Sequence, residues 1–260
     1  MMTRGWRTVR RAAALLLAGL LVWAAAQPAQ SPFFEHAEAL AAAHALEMLD
    51  IRLEMLTVGE VSEDALAEEL EAALERDLPR FRSSLAQQDA ELAAALEQVL
   101  RAMLSGLESS GESLEAQAQA ARDLASRVQE MVVPAELVET PSFSAALMVL
   151  LLLAEEGVAE RFEEAAEGEE VYPGGWAALK RVEAIWERLE PLASDAQRFE
   201  VNDMLGELAA LFPSPAPPDP SLLSDPEAAE DPSQRMAGFL EELAGTSLYP
   251  DRSLGELVVL

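Results

Sequence analysis

Apolar residues recur at three- and four-residue intervals along most of the chain, and this spacing predicts amphipathic helices. One such stripe lies between residues 79 and 107 and consists of Leu85, Leu92, Leu96, Val99, Leu100, Met103 and Leu107. Strand-like alternation is absent over any useful length. Alanine and leucine dominate the apolar residues, and aromatic residues make up only 5% of the chain. The pattern therefore predicts an all-α protein.

Capping residues and prolines indicate where these helices begin and end. Ser62 is a good N-cap, and Ser194 with Gln197 matches a capping box. Pro79 should break or kink a helix, and residues 172–175 read as a turn. Helices are expected over about 32–56, 62–79, 79–107, 112–131, 140–170, 176–193, 194–211 and 232–244. Their short connections favour an antiparallel bundle of about seven to eight helices.

The most apolar part of the chain after the N-terminus is the run AALMVLLLLA at residues 145–154. Ten residues are too few to cross a bilayer, so we expect a helix that is buried on all sides. Eight glutamates follow between residues 155 and 170. A helix spreads such residues around its surface, and no EF-hand calcium loop is present. We interpret them as a solvated helix face.

The N-terminus predicts a cleavable signal peptide. Four arginines precede residue 12, an apolar stretch covers residues 12–26, and Ala24 and Ala26 fit an A-x-A cleavage site. The stretch would reach about 22 Å as a helix, short of the roughly 30 Å hydrocarbon core that a retained anchor must cross. Arg10 and Arg11 leave a twin-arginine signal open, whereas the absence of cysteine excludes a lipoprotein. We expect an exported protein, periplasmic or extracellular, with no stable membrane insertion after cleavage.

Seven prolines between residues 212 and 233 predict a semi-rigid or disordered linker. The expected organisation is a signal peptide at 1–26, a helical bundle at 27–211, the linker at 212–232, and a C-terminal helix and tail at 233–260.

The charge is strongly negative, −29 for the whole chain. Without the four N-terminal arginines, 14 basic residues remain against 47 acidic ones, a net charge of −33. Nucleic-acid binding is therefore not expected, because phosphate contacts need clustered Lys and Arg. Cationic ligands are favoured, among them metal ions and basic proteins.

His36 and His44 are the two histidines, and both lie on the first predicted helix. His44 and Glu47 form an H-x-x-E step, and His36 lies about 20° from Glu47 around the helix. Because metal sites in bundles use His and carboxylates that project inward, these three residues are the candidate metal ligands, with iron as the possible cation. The alternative is a partly buried, hydrogen-bonded His44, since Leu40 and Ile51 share its face.

Catalytic motifs are missing from the chain. The sequence contains no G-x-S-x-G, H-E-x-x-H, P-loop or Rossmann glycine pattern, and no cysteine nucleophile. We therefore expect a protein that is not an enzyme.

Two stretches resemble extracytoplasmic helical regions of bacterial iron uptake, found in high-affinity iron permeases and in imelysin-like proteins. They are LDIRLEMLTVGEVSEDALAEELE at residues 49–71 and WAALKRVEAIWERLEP at residues 176–191. The imelysin-like G-x-H-x-x-E signature is matched with Ala42 in place of glycine, followed by His44 and Glu47. The R-E-x-x-E motifs and membrane helices of the permease are absent. The resemblance implies a soluble accessory domain near iron import.

Three function classes follow from these observations. The first is a soluble extracytoplasmic binding or accessory protein linked to metal uptake, with a membrane permease or a basic protein as its partner. The second is a structural or interaction scaffold of the cell envelope that has no ligand. The third is a hydrolytic enzyme with an unrecognised site.

Overall fold

The structure, a computed structural model, describes residues 36–58, 61–107, 114–168, 170–219 and 221–245. Within these ranges every regular element is helical, which confirms the predicted all-α helical bundle. The predicted signal peptide and the last residues of the predicted tail lie outside the described residues.

The elements follow one another along the chain with mostly short connections, and the longest one among the described elements is residues 212–225. They are α1 (Ala37–Val58), α2 (Glu63–Ala72), a π-helical segment (Ala73–Asp77), α3 (Leu78–Gln88), α4 (Ala90–Leu107), α5 (Leu114–Val132), the single turn α6 (Ala135–Val138), α7 (Pro141–Leu153), α8 (Val158–Glu167), α9 (Tyr172–Leu189), a 3-10 turn (Glu190–Leu192), α10 (Asp195–Leu211), a 3-10 turn (Pro226–Ala229) and α11 (Glu230–Ala244).

Two helices form the centre of the bundle. All residues of α7 from Phe143 to Leu152 are buried, and this helix packs against α1, α8, α9 and α11. Helix α1 is also buried on several sides, by α5, α9, α3 and α7. By length and composition alone, the stretch Pro141–Glu167 could cross a membrane, but 72% of its most apolar window is buried inside the bundle. The expectation of an apolar helix covered on all sides agrees with this packing.

The helix predicted over 79–107 is interrupted at Asp89, so the prediction of one unbroken helix is wrong there. Asp89 adopts an extended backbone, and its Oδ1 accepts a hydrogen bond from the Leu92 N–H at 2.9 Å. The carboxylate thus caps α4, because a short acidic side chain competes with the helix for backbone donors.

Pro79 does not end the helix that contains it. The chain stays helical from Glu63 to Gln88, with the wider π-helical segment directly before α3. The Leu78 N–H bonds to the carbonyl oxygen of Ala73, five residues earlier. Pro79 directly follows the π-helical segment, whose wider turn accommodates a residue that has no backbone N–H to donate.

The predicted turn at residues 172–175 is wrong as well, because α9 already begins at Tyr172. Pro173 occupies the first turn of that helix, where its fixed φ is favourable. The Tyr172 hydroxyl donates a hydrogen bond to the Leu211 carbonyl oxygen at 2.8 Å, which ties the start of α9 to the end of α10.

Residues after α10 pack on the same core. The Phe212 ring lies 5.5 Å from the Phe162 ring and 5.0 Å from the Tyr172 ring, measured between centroids. The 3-10 turn Pro226–Ala229 contacts α8, and α11 packs against α7 and α10.

Candidate functional site

Helix α8 carries four of the eight glutamates that follow the central apolar helix α7. The prediction of one helix over 140–170 is wrong at residues 154–157, where a sharp turn separates α7 from α8 and Glu156 has a positive φ of 65°. Gly168 ends α8 with a φ of 104°, a left-handed conformation that glycine adopts without steric cost. Val158, Arg161, Phe162 and Ala165 are the buried residues of α8. Its glutamates consequently lie along the flanks and the outer face.

Beneath α8 lies a buried cluster of charges that we call the buried arginine cluster. It consists of Arg52, Glu69, Asp77, Glu156 and Arg161. The side chains of Arg52 and Arg161 are each only 1% exposed. Three helices and the π-helical segment contribute to it, together with the turn before α8. It therefore joins parts of the chain that are distant in sequence.

Arg52 pairs with three carboxylates at once. Its Nε donates to Asp77 Oδ2 at 2.8 Å, and its two terminal nitrogens donate to Glu69 and Glu156. Burial alone would lower the pKa of Arg52, but the three carboxylates outweigh burial and raise it. The guanidinium group is therefore fully charged, and the carboxylates share its five donors.

Arg161 forms a bidentate pair with Glu69. The Nη1–Oε1 distance is 2.8 Å and the Nη2–Oε2 distance is 3.1 Å. The Arg161 Nε also donates to the backbone oxygen of Glu156 at 2.9 Å. Burial on its own would raise the pKa of Glu69, but Arg161 and Arg52 lower it to about 2. Glu69 is thus ionised at neutral pH.

The pKa of Asp77, another carboxylate of the cluster, is raised above its usual value. Burial raises its pKa, and the Arg52 guanidinium opposes this effect only in part. The buried arginine cluster therefore contains a carboxylate that takes up a proton more readily than an exposed aspartate does.

The start of α9 leaves room for the Arg161 side chain because residue 174, in its first turn, is a glycine. A Cβ on Gly174 would collide with the Arg161 guanidinium and would lie 2.8 Å from Met55 Sδ. The Arg161 Nη1 itself lies 3.4 Å from that sulfur. Glycine at residue 174 is thus required by the close approach of α9 to the cluster.

A cleft of about 530 Å³ opens above the buried arginine cluster on one side of α8. The acidic residues on its rim are Asp64, Glu68, Glu164 and Glu170. The Glu170 carboxylate accepts a hydrogen bond from the Ser62 N–H at 2.6 Å, and this bond holds the pKa of Glu170 below its usual range. The arginines that reach this cleft, Arg52, Arg76 and Arg161, are already paired with carboxylates.

A second cleft, of about 500 Å³, lies on the other side of α8. Its polar lining consists of Glu160, Glu163, Glu227, Glu230 and Gln234. Partial burial raises the pKa of Glu160, and the neighbouring carboxylates of Glu163, Glu155 and Glu167 raise it further. The two clefts thus present carboxylates on both flanks of α8.

The predicted metal ligands do not lie together in an arrangement that could hold a metal ion. Among the described residues, no group of three or more His, Asp or Glu has such geometry. His36 is half-buried at the start of α1, while His44 is buried. The Nε2 of His44 has no hydrogen-bond partner. Burial and the positive charges of Arg80 and Arg52 lower the pKa of His44 to about 3.

Glu47 belongs to a different set of ion pairs, which we call the Arg181 cluster. Its members are Glu47, Asp50, Glu54, Arg122 and Arg181. Arg181 Nη2 lies 2.7 Å from Glu54 Oε2, Arg181 Nε lies 3.7 Å from Glu47 Oε2, and Arg122 Nε lies 3.3 Å from Asp50 Oδ1. Burial raises the pKa of Glu47, although Arg181 opposes the increase.

Sequence reasoning missed both central arginines. A usable signal was present, because Arg52 lies between Ile51 and Leu53 on α1 and Arg161 lies beside Phe162 on α8. A charged residue at a core position of a helix indicates a buried pair, since an unpaired buried charge is very costly.

Comparison with known proteins found no matching family model, no similar curated protein and no similar solved structure. The resemblance to iron permeases and imelysin-like proteins therefore stays a prediction, and the function has to be argued from the residues themselves.

Proposed function

We propose that the protein is an extracytoplasmic accessory protein that attracts multivalent cations to the acidic surface of α8 by its charge, rather than at a preformed metal site, in the service of metal uptake. The observation that carries this proposal is the distribution of charge around that helix. Carboxylates line a cleft on each flank, whereas the arginines that reach the clefts are already neutralised by carboxylates of the buried arginine cluster.

Electrostatics supports this choice of ligand. Field lines concentrate in clefts with charges of one sign, and they raise the local concentration of the opposite ion. Oxygen donors suit hard cations such as calcium and ferric iron. Carboxylates also attract the ammonium groups of organic polyamines by charge. Because the carboxylates lie on a helix anchored by Arg161, their spacing is held by the core.

Titration calorimetry tests the proposal with three probes, namely Ca²⁺, Fe³⁺ as its citrate complex, and spermine. The variant Glu160→Gln, Glu163→Gln and Glu164→Gln removes three charges from the two clefts. Its matched control removes three exposed carboxylates from α5, as Glu115→Gln, Asp123→Asn and Glu130→Gln.

We expect saturable binding of at least one probe, weakened at least tenfold by the α8 variant and nearly unchanged by the α5 variant. Binding of Ca²⁺ or Fe³⁺ would support a role in metal uptake, whereas binding of spermine alone would indicate a polyamine-binding protein. The proposal fails if no probe binds, or if both variants weaken binding equally, because overall charge would then be the cause.

The predicted metal ligands are tested in the same experiment. Weaker metal binding in His44→Ala or Glu47→Ala would favour a site on α1, whereas unchanged binding would leave α8 as the site. The variant His36→Ala tests the third predicted ligand, which is half-buried, in the same way.

Export is a separate part of the proposal, supported by the N-terminal arginines, the apolar stretch and the A-x-A site. Mass spectrometry of the protein from its native cells should find an N-terminus at Gln27. A retained Met1 would contradict it.

A further inference from the structure

Phe199 is exposed to an extent that no other described phenylalanine approaches. Its exposed fraction is 70%, whereas Phe81, Phe143, Phe162 and Phe212 are buried. Exposed aromatic side chains on a rigid surface often serve as anchors for protein partners, because they bury a large area at a small cost in entropy.

Phe199 is part of a helix face that no described element covers. Helix α10 packs mainly on α11, and its buried residues are Val201, Met204, Leu205 and Leu208. The opposite side holds Phe199, Asp203, Gly206 and Ala210, which are exposed. Leu192, 58% exposed, lies in the 3-10 turn just before α10. We call Phe199, Asp203, Gly206 and Ala210 the Phe199 face.

The Phe199 face combines one large side chain with open space further along the helix. Nothing lies within 4 Å of the place that a Cβ on Gly206 would occupy. Ala210 is one turn further and is also small. A partner helix could therefore place its backbone close to α10 while a pocket of its side chains receives the Phe199 ring.

The face is held in position before any partner arrives. Ser194 and Gln197 form a complete capping box at the start of α10. On one edge, the Trp186 Nε1–H donates to Asn202 Oδ1 at 2.8 Å, which fixes α10 to α9. Because the surface is preorganised, little conformational entropy is lost when it binds.

The charge around the face is negative and uncompensated. Glu200 and Asp203 are exposed and form no ion pair with a described residue. The nearby Arg198 and Arg235 are already paired, with Asp195 and Glu207 respectively. A cationic segment therefore gains attraction here, whereas an acidic one is repelled.

We propose that the Phe199 face binds an amphipathic helix of a partner protein, one whose apolar stripe is flanked by Lys or Arg. The helix would cover Phe199 and lie over Gly206 and Ala210, with its basic residues near Glu200 and Asp203. A second copy of this chain is disfavoured as the occupant, because each copy carries a net charge of −29. This surface is separate from the α8 clefts, so it goes beyond the proposed cation binding.

The probe for this proposal is a synthetic amphipathic Leu/Lys peptide, compared with a scrambled peptide of identical composition and charge. Fluorescence anisotropy with the purified protein should give a Kd for the amphipathic peptide at least tenfold lower than for the scrambled one. Phe199→Ser should remove that preference and leave weak, salt-sensitive binding of both peptides.

Two further variants keep the test decisive. Gly206→Arg adds bulk and positive charge in open space, so it should weaken amphipathic-peptide binding at least tenfold with an unchanged circular dichroism spectrum. Leu222→Ser removes another exposed apolar residue, 42% exposed, and should change nothing.

Several results would overturn the inference. Equal affinity for the two peptides, or equal binding by wild type and Phe199→Ser, would show that the face does not recognise an apolar stripe. A dimer in sedimentation experiments that Phe199→Ser abolishes would show that a second copy is the occupant. The two proposals concern different surfaces and are tested independently. Cation binding by the α8 variant does not bear on peptide binding at the Phe199 face, and peptide binding by Phe199→Ser does not bear on cation binding at α8.

Discussion

The buried arginine cluster and the Arg181 cluster both pair α1 with other helices through arginine and carboxylate side chains, but water reaches them to different extents. Arg52 and Arg161 are 1% exposed, whereas the side chain of Arg181 is 26% exposed. In the first cluster the arginines have no solvent to replace a lost partner. In the second cluster, solvent reaches Arg181.

This difference in exposure changes how much stability the protein loses when one partner of an ion pair is removed. A partly exposed pair gains little because water and salt already stabilise its charges. A buried set is also weak evidence of net stabilisation, but removal of one partner leaves an uncompensated charge in the core. We therefore expect the buried arginine cluster to contribute to specificity, because its charges are all paired only when α2, α8 and the start of α9 meet α1 in one arrangement.

The largest effect is expected for Glu69→Gln. The substitution keeps the shape of the side chain but removes the negative charge that pairs with both Arg52 and Arg161. The free energy of unfolding should fall by about 3–5 kcal/mol, as when other buried pairs are broken. Denaturant titration at pH 7 measures this, and a loss below about 1 kcal/mol would show that water reaches the cluster.

His44 offers a pH-dependent test of the same buried region. Its pKa of about 3 in the folded state lies below the usual 6.5, so the unfolded chain binds more protons between these values. The contribution of His44 to stability is therefore present above about pH 6.5 and is lost as pH falls towards 3, at up to about 1.4 kcal/mol per pH unit.

His44→Leu should remove this part of the pH dependence. The free energy of unfolding at pH 7 should change little, because the substitution removes a buried Nε2 that has no hydrogen-bond partner. Unfolding free energies measured from pH 7 to pH 4 test this, with His36→Leu at the half-buried start of α1 as the matched control. An identical slope in wild type and His44→Leu would contradict the prediction.

The smallest effect is expected for Glu54→Gln in the Arg181 cluster. Asp50 and Glu47 remain near Arg181, and the site is partly hydrated, so the loss should be at most about 1 kcal/mol. The difference between wild type and variant should shrink further in 1 M NaCl. A loss as large as that of Glu69→Gln would remove the distinction between the two clusters.

The helices themselves could be predicted from the sequence with good success. The apolar stripes, the N-cap at Ser62 and the capping box at Ser194 agree with the structure, because they depend on residues three or four apart. The errors at Asp89 and at residues 172–175 arose where one residue type supports two local structures. Aspartate can continue a helix or cap one, and Pro-Gly-Gly can form a turn or begin a helix beside a large side chain.

The candidate site could be predicted only in part. The acidic character of α8 was evident from its glutamates, but the clefts on its flanks depend on the positions of α2, the Pro226–Ala229 turn and α11. The pairing of Glu47 with Arg181 was equally inaccessible, because Arg181 lies on α9.

The sequence by itself determined the all-α class, the main helices, the buried character of α7 and the excess of negative charge, since these follow from local periodicity and composition. Only the tertiary structure decided which charges are buried and paired. Glu69 and Arg161 are 92 residues apart, and Arg52 and Glu156 are 104 residues apart, yet each pair is in direct contact. No local pattern encodes such contacts, because they form only when packing of the apolar faces brings distant helices together and excludes the water that would otherwise solvate each charge.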